Sequence, residues 1–227
     1  MLAALPDCER ERLQPSLQPV FLKQGQVLYE PGVKLKYAYF PTSAIVSDEY
    51  LTADGASAEF AIVGNGGLVG IALFMGGDSR PNRAIVEMQG WAWRLTSDLL
   101  TKEFARGGAL QHVMLLYTQA LITLTGQTVV CNRHHSVDQQ LCRWLLLVLD
   151  RLPSSELTIT QDLIANMLGV RRESVTGAVR KLQKLGVISH SRGHITVLDR
   201  PALERLCCEC YAVVRKETDR LLEFPHQ

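Results

Sequence analysis

The strongest chemical signal in the sequence is a cluster of basic residues in the stretch GVRRESVTGAVRKLQKLG, at positions 169–186. From Arg171 to Arg192 there are six Lys or Arg residues and one acid, Glu173, so this segment carries about +5 in a chain whose net charge is +1. A basic face on one helix is typical of nucleic-acid binding. A solvated charged face is the alternative, and the elements around the helix distinguish the two.

These elements predict a helix-turn-helix followed by a β-hairpin. Thr160 is a good N-cap with Asp162 in the first turn, and Gly169 is expected to end this helix at a tight turn. The second helix is expected to start near Arg172. Its apolar residues recur at helical spacing and should face the core: Val175, Val179 and Leu182. Two β-like runs follow, GVIS and HITVL, with Gly193 at their turn. The pattern is that of a winged helix-turn-helix, which favours DNA binding over a merely solvated face.

The side chains of this segment suggest distinct roles at DNA. Arg172 has the planar fork that can donate to guanine O6 and N7, and Glu173 can accept from cytosine N4. Thr176 is a candidate for a base methyl or a phosphate. Other cations are candidates for phosphate contacts: Arg171, Arg180, Lys181 and Arg192. Gly177 lies on the same predicted face and completes the DNA-binding set.

The chain changes character near residue 98. Before it, short runs of aromatic and β-branched residues alternate with Gly and Pro, which predicts an antiparallel sandwich or barrel. After it, SDLLTKEFA predicts a helix capped by Ser97 and ended by Gly107 and Gly108. A helix through DQQLCRWLLLVLDRL precedes the basic segment, and PALERLCCECYAVVRKETDRLL predicts a last helix.

A longer helix between these segments carries apolar residues at alternating spacings of three and four. The stripe is Leu110, Met114, Tyr117, Leu121 and Leu124, continued by Thr128 and Cys131. Such a heptad stripe can be the seam of a two-stranded dimer or an amphipathic face packed on its own domain. The spacing alone leaves both interpretations open.

Composition limits the function classes. The apolar start of the chain is too short for a secretory signal, and the longest strongly apolar run, WLLLVL, is far below the ~20 residues of a membrane span. We therefore expect a soluble, cytoplasmic protein with reduced cysteines and no membrane partner. The sequence has no P-loop, H-E-x-x-H or G-x-S-x-G motif, so no enzyme is predicted. The CCEC stretch matches no familiar zinc spacing, and no metal site is predicted.

Nearly the whole chain resembles the Crp/Fnr family of bacterial transcription regulators. The resemblance is most specific in ITQDLIANMLGVRRESVTGAVRKLQKLGVI and CNRHHSVDQQLCRWLL. It implies an α+β fold with an antiparallel β-roll sensor domain of cupin-like jelly-roll type at residues 1–100. It also implies a long dimerisation helix and hinge at 101–135 and a winged helix-turn-helix domain at 136–227. The implied partners are double-stranded DNA and a second copy of the chain, with RNA polymerase as a candidate.

The sequence also departs from the family pattern. Arg171 stands where the family often has a capping Ser, and Gly177 replaces a DNA-contacting Arg or Ser, so the operator sequence cannot be carried over. In the sensor domain, Leu68 or Val69 follows Gly67 where a cyclic-nucleotide site needs Glu. The Arg expected at the cyclic phosphate is Arg80 or Arg83, followed by Pro81 or Ala84 instead of a hydroxyl residue, so both are expected to be surface arginines.

We therefore expect no cyclic-nucleotide cofactor, although Gly67, Leu68, Arg80 and Arg83 are the candidate effector residues. An iron–sulfur cluster would need more cysteines near the N-terminus than Cys8 alone. Vicinal His134 and His135 suggest a hinge or a surface feature rather than a metal site. The alternative functions are a nucleotide-sensing adaptor and an architectural protein without specific operator recognition.

Overall fold

The computed structural model describes residues 1–152, 156–191 and 193–222. Residues 18–96 form two antiparallel sheets that share one apolar core, with strand orders β1–β7–β3 and β2–β6–β4–β5. The strands are β1 (Gln18–Leu22), β2 (Val27–Tyr29), β3 (Tyr37–Pro41), β4 (Ile45–Leu51), β5 (Ser57–Val63), β6 (Arg83–Met88) and β7 (Gly90–Thr96). This arrangement confirms the antiparallel β-roll.

Glycine is required where the two sheets connect. Gly90 begins β7 directly against the backbone of Ser43 and Ala44, and a Cβ added at Gly90 would lie 2.5 Å from the Ala44 amide nitrogen. A side chain at Gly90 would therefore displace the chain at this crossing.

Helix α1 (Asp7–Leu13) precedes the roll, and helices α2 (Ser97–Ala105) and α3 (Ala109–His134) follow it. The break between α2 and α3 lies at Gly107 and Gly108, as predicted, and both have positive φ, 75° and 92°. The N-cap of α2 is Thr96 rather than Ser97, and it makes no side-chain cap. The start of α3 is capped instead from α1, because the Glu9 carboxylate accepts from the amides of residues 109 and 110 at 2.9 and 2.8 Å.

The structure corrects the assignment of the dimer seam on α3. The predicted stripe is buried within the single chain, with exposed fractions of 7% or less: Leu110, Met114, Tyr117, Leu121 and Leu124. These side chains join the main core, so none of them is available to a second copy. A different stripe is exposed, with Leu115, Ile122 and Val129 at 51%, 67% and 65% exposure.

The apolar character of both faces explains a further property of α3. Its 26 residues are long and apolar enough to cross a membrane by length and composition, and 33% of its most apolar window is buried in the chain. One apolar face packs on the chain's own core and the other faces outward, and together the two faces account for the high mean hydropathy of the helix.

The remaining elements form the C-terminal domain. Its helices are α4 (Val137–Leu149), α5 (Gln161–Leu168), α6 (Arg172–Lys184), α7 (Arg200–Leu206) and α8 (Glu209–Leu222), and its strands are β8 (Glu156–Thr158), β9 (Ile188–Ser191) and β10 (His194–Val197). The predicted hairpin is β9–β10, and β8, which the sequence analysis missed, pairs with β10 as a third strand. The last segment is two helices rather than one, because Cys207 is extended (φ −75°, ψ 162°).

The two domains are in contact through buried polar groups. Trp144 on α4 donates its indole N–H to a Glu59 carboxylate oxygen on β5, at 3.2 Å. The other Glu59 oxygen accepts from Ser47. The pKa of Glu59 is raised to about 8, mainly by burial and also by the nearby Glu87, whereas the Ser47 hydrogen bond lowers it.

Candidate nucleic-acid interface

The helix-turn-helix is built by local signals that the sequence shows directly. Thr160 caps α5 through its hydroxyl, which accepts from the Leu163 amide at 3.3 Å. Gly169 ends α5 in the left-handed conformation with φ 63°, which an L-residue adopts only at a cost. The amide of Val170 then donates to the Ala165 carbonyl at 3.0 Å, closing the turn into α6.

Helix α6 is strongly amphipathic in the way its sequence predicts. The apolar residues Val175, Val179 and Leu182 are buried at 0%, 1% and 2% exposure, together with Ala178. The opposite face is open to solvent and carries the predicted DNA-binding residues: Arg171, Arg172, Glu173, Gly177, Arg180 and Lys181, together with Lys184. The chain therefore presents a basic helix with one acid at its N-terminal end.

Two contacts across the turn orient the first residues of α6. Arg172 Nε lies 3.2 Å from Asp162 Oδ1, and both side chains are more than 60% exposed. An exposed pair of this kind contributes only about 0–1 kcal/mol, so DNA can displace it at little cost. Thr176 donates its hydroxyl to Gln161 Oε1 at 2.6 Å. Although its hydroxyl hydrogen is used there, the Thr176 oxygen can still accept a hydrogen bond, so Thr176 can offer a base this oxygen or its methyl group.

Lys181 differs from Arg180, because it is bound to a neighbouring helix. The Lys181 ammonium donates to the Asp138 carboxylate on α4, and this hydrogen bond raises the pKa of Lys181. Lys181 is thus shared with α4, unlike Arg180. Arg192 lies outside the residues that the structure describes. The sequence analysis missed Gln161 and Asp138, although the proximity of the two helix starts in a helix-turn-helix could have indicated Gln161.

The candidate effector residues of the roll do not lie where the sequence analysis expected. Arg80 is buried, with 8% exposure, rather than a surface residue, because its guanidinium pairs with the buried Asp48 at 2.7 Å. Leu68 is also buried, at 1% exposure. Arg83 is partly exposed and pairs with Glu30 at 3.1 Å.

Gly67 lies against Tyr117 of α3. It lines a cavity of about 410 Å³ between the roll, α3 and the C-terminal domain. Arg151 and Arg200 line the same cavity from the DNA-binding side. This cavity is therefore a space in which a small molecule could contact both domains at once.

The roll, the long helix and the winged helix-turn-helix together define a DNA-binding transcription regulator with a sensor-like domain. Comparisons with known families agree, since residues 19–106 match the cyclic nucleotide-binding domain and residues 139–206 match the Crp-like helix-turn-helix domain. The chain belongs to the Crp/Fnr family of transcription regulators. A search of curated protein sequences finds no significant match.

Solved structures with the same fold come from several bacteria. FixK2 from Bradyrhizobium japonicum is 16% identical with a TM-score of 0.70, over 85% of this chain and 98% of that chain. The Crp/Fnr-family regulator TTHA1359 from Thermus thermophilus is 24% identical with a TM-score of 0.63, over 83% and 97%. The c-di-GMP responsive regulator CLP of Xanthomonas campestris is 17% identical with a TM-score of 0.63, also over 83% and 97%.

Proposed function

We propose that the protein is a homodimeric regulator that reads a near-palindromic operator by placing one copy of α6 in each of two major grooves. The observation that carries this proposal is the exposed basic face of α6, with Arg172 and Glu173 at its N-terminal end. In helix-turn-helix proteins this end of the second helix contacts base edges, and two-fold symmetry sets half-sites about 34 Å apart.

The roles of the side chains follow from their chemistry. Arg172 donates in bidentate fashion to a guanine, and Glu173 accepts from a cytosine amino group. An acid would be repelled by phosphates, so its position at the head of a basic helix favours base reading. Arg171 and Arg180 contact phosphates and supply affinity without sequence information. Lys181 is a weaker candidate because Asp138 already binds it.

The exposed stripe of α3 is the surface that supports dimerisation. Leu115, Ile122 and Val129 recur every seven residues, and the exposed Gln119 and Gly126 between them complete an alternation of four and three. The three apolar residues occupy one of the two seam positions in each heptad, where they can pack against a second helix. Gly126 belongs to this stripe, and an added Cβ would meet nothing within 4 Å in the single chain.

The signal acts at the roll and is passed to α6 through the domain contacts. Arg80 is a poor anion ligand, because Asp48 neutralises it and would repel a phosphate. Leu68 offers no acceptor for a ribose hydroxyl. These features support a ligand other than a cyclic nucleotide, or a change at the domain contact formed by Glu59 and Trp144.

Selection from a pool of random duplexes by the full chain tests this function. Sequencing of the bound fraction is expected to give two inverted half-sites whose centres are about 10 base pairs apart or a multiple of that. Binding without any shared motif would instead indicate an architectural protein. Failure to bind any duplex, with and without candidate ligands, would favour an adaptor that does not act on DNA.

A further inference from the structure

Four side chains with metal-binding atoms converge at the hinge, from segments far apart in the sequence. Cys131 lies in the last turn of α3 and His135 directly follows it, whereas Cys208 lies between α7 and α8 and Cys210 in the first turn of α8. One donor atom from each of the four lies within 4.8 Å of the others. The three sulfurs are buried, and they form a cluster separate from the main apolar core.

Two edges of this group are close to those of a tetrahedral metal site, and the remaining edges are no longer than 4.8 Å. The sulfurs of Cys131 and Cys208 are 3.6 Å apart, and the Cys210 sulfur is 3.6 Å from His135 Nδ1. With Zn–S of about 2.3 Å and Zn–N of about 2.0 Å, a regular tetrahedron has edges of about 3.8 Å between sulfurs and about 3.5 Å between sulfur and nitrogen. A disulfide would need sulfurs about 2.05 Å apart.

The backbone is shaped to bring the sulfurs to one point. A continuous last helix would distribute its cysteines around the helix axis, but Cys207 is extended and separates α7 from α8. The Tyr211 amide then donates to the Cys208 carbonyl at 3.3 Å, which folds the chain back into α8. Gln140 holds the other segment, because its side-chain amide donates to the His135 carbonyl at 3.0 Å.

The surroundings of the four residues are those of a metal site. Glu209 Oε2 lies 3.3 Å from His135 Nε2, the ring nitrogen that is not directed at the cysteines. A carboxylate in this place fixes the ring and its tautomer for a metal on the other nitrogen. Arg143 is buried, and its Nε and Nη1 have no hydrogen-bond partner among the described residues. Its charge acts on both Cys131 and Cys210.

The charges of such a metal site also balance. Three thiolates and one neutral imidazole around a divalent cation carry a net charge of −1, which the buried Arg143 offsets. A soft set of three sulfurs and one nitrogen in tetrahedral geometry favours zinc over magnesium, calcium or manganese. Four protein ligands leave no open position, so such a site is structural rather than catalytic.

We propose that Cys131, His135, Cys208 and Cys210 bind one zinc ion in a closed Cys₃His site that ties the end of α3 to the helices of the DNA-binding domain. The site corrects the expectation that CCEC has no partner ligands, because Cys131 and His135 supply them. The zinc ion would fix the hinge between the dimerisation helix and α4. The proposal does not depend on DNA recognition by α6.

Elemental analysis of the full chain, purified under reducing conditions without chelator, tests this site. We expect one zinc per chain in the wild type and loss of zinc in Cys131→Ser and Cys208→Ser. The matched control is Cys142→Ser, which removes a buried cysteine outside the cluster and should retain the metal. Equal zinc content in all four proteins would overturn the ligand assignment.

Two further measurements do not require a ligand variant to fold. Zinc-free wild type titrated with Co²⁺ should show thiolate-to-cobalt charge transfer and the d–d bands of a tetrahedral site, saturating at one ion per chain. Glu209→Gln changes an exposed side chain and should weaken zinc binding about tenfold. A wild type that binds neither ion, or that contains a Cys131–Cys208 disulfide by mass spectrometry, would refute the proposal.

Discussion

Glu59 gives the most quantitative prediction, because it is a buried acid at the contact between the two domains. Its carboxyl group lies among Ser47, Glu87 and Trp144, and its pKa is raised from 4.5 to about 8 by burial first and by Glu87 second. The native state therefore retains a proton that the unfolded chain releases above its ordinary pKa. Stability from this group is fully present below about pH 4.5 and is lost as the pH rises towards 8.

The size of the effect follows from the shift. The pKa of Glu59 is more than 3 units higher in the native state than in the unfolded chain, and each unit corresponds to about 1.4 kcal/mol. Ionisation of this group should therefore make the wild type roughly 4 kcal/mol less stable at pH 8 than at pH 5. Glu59→Gln resembles the protonated acid and keeps an acceptor for Trp144. The variant should therefore lose much less stability over this range and be the more stable protein at pH 8.

Chemical denaturation at pH 5, 6, 7 and 8, followed by tryptophan fluorescence, measures the effect as the difference between variant and wild type. Glu11→Gln changes an exposed acid on α1 and is the matched control, expected to keep the wild-type slope. If Glu59→Gln showed the same slope as the wild type, Glu59 would be ionised in the native state and the argument from burial would fail.

Three other substitutions test single features of the fold. Ile122→Glu should convert the dimer into monomers in sedimentation experiments. Val33→Glu, at an apolar site on the roll that is 55% exposed against 67% for Ile122, should not; dimers in both would refute the seam. Gly169→Ala should lower the free energy of unfolding by about 1 kcal/mol, because φ is 63°, and no loss would show that the turn relaxes. Gly67→Ala should lower it by about 1–3 kcal/mol, since the added Cβ lies 2.7 Å from Val63 Cγ1, and unchanged stability would mean that the neighbours yield freely.

The DNA-binding segment could be predicted because its signals are local. Thr160, Gly169 and the spacing of Val175, Val179 and Leu182 each act within a few residues, so sequence periodicity and capping chemistry were sufficient. The third strand of the wing, β8, has only three residues and little periodicity. Its pairing depends on β10, which lies more than 30 residues later, and no local signal indicates it.

The dimer seam shows the limit of periodicity. Helix α3 has two stripes at heptad spacing, and the sequence analysis considered only the more apolar one, which contains Met114 and Leu121, as a candidate seam. A pattern of this kind predicts that a face is buried, but it does not indicate whether the chain itself or a second copy buries it. Here the more apolar stripe packs against the chain's own core, and the stripe through Ile122 remains exposed.

The cysteine cluster and Arg80 depended on long-range contacts. Cys131 and Cys208 are 77 residues apart, and only the packing of α8 beside α3 brings them together. The break at Cys207 was also hidden, because no Gly or Pro marks it in the sequence. Arg80 was expected at the surface, since its ion-pair partner Asp48 lies on β4, 32 residues earlier in the chain.

The central claim, that α6 reads DNA sequence through Arg172, is tested most directly by one comparison of affinities. The measurement is the ratio of Kd values for a scrambled duplex and the selected operator, at fixed salt, for wild type and Arg172→Ala. Loss of a bidentate guanine contact should cost about 1–3 kcal/mol of discrimination, so the ratio should fall roughly 5- to 150-fold. The affinity for the scrambled duplex should change much less. Lys23→Ala, an exposed lysine on the roll, should leave the ratio unchanged. An unchanged ratio in Arg172→Ala, whether affinity for both duplexes stays the same or falls equally, would contradict base reading by Arg172. Helix α6 would then be only a phosphate-binding surface.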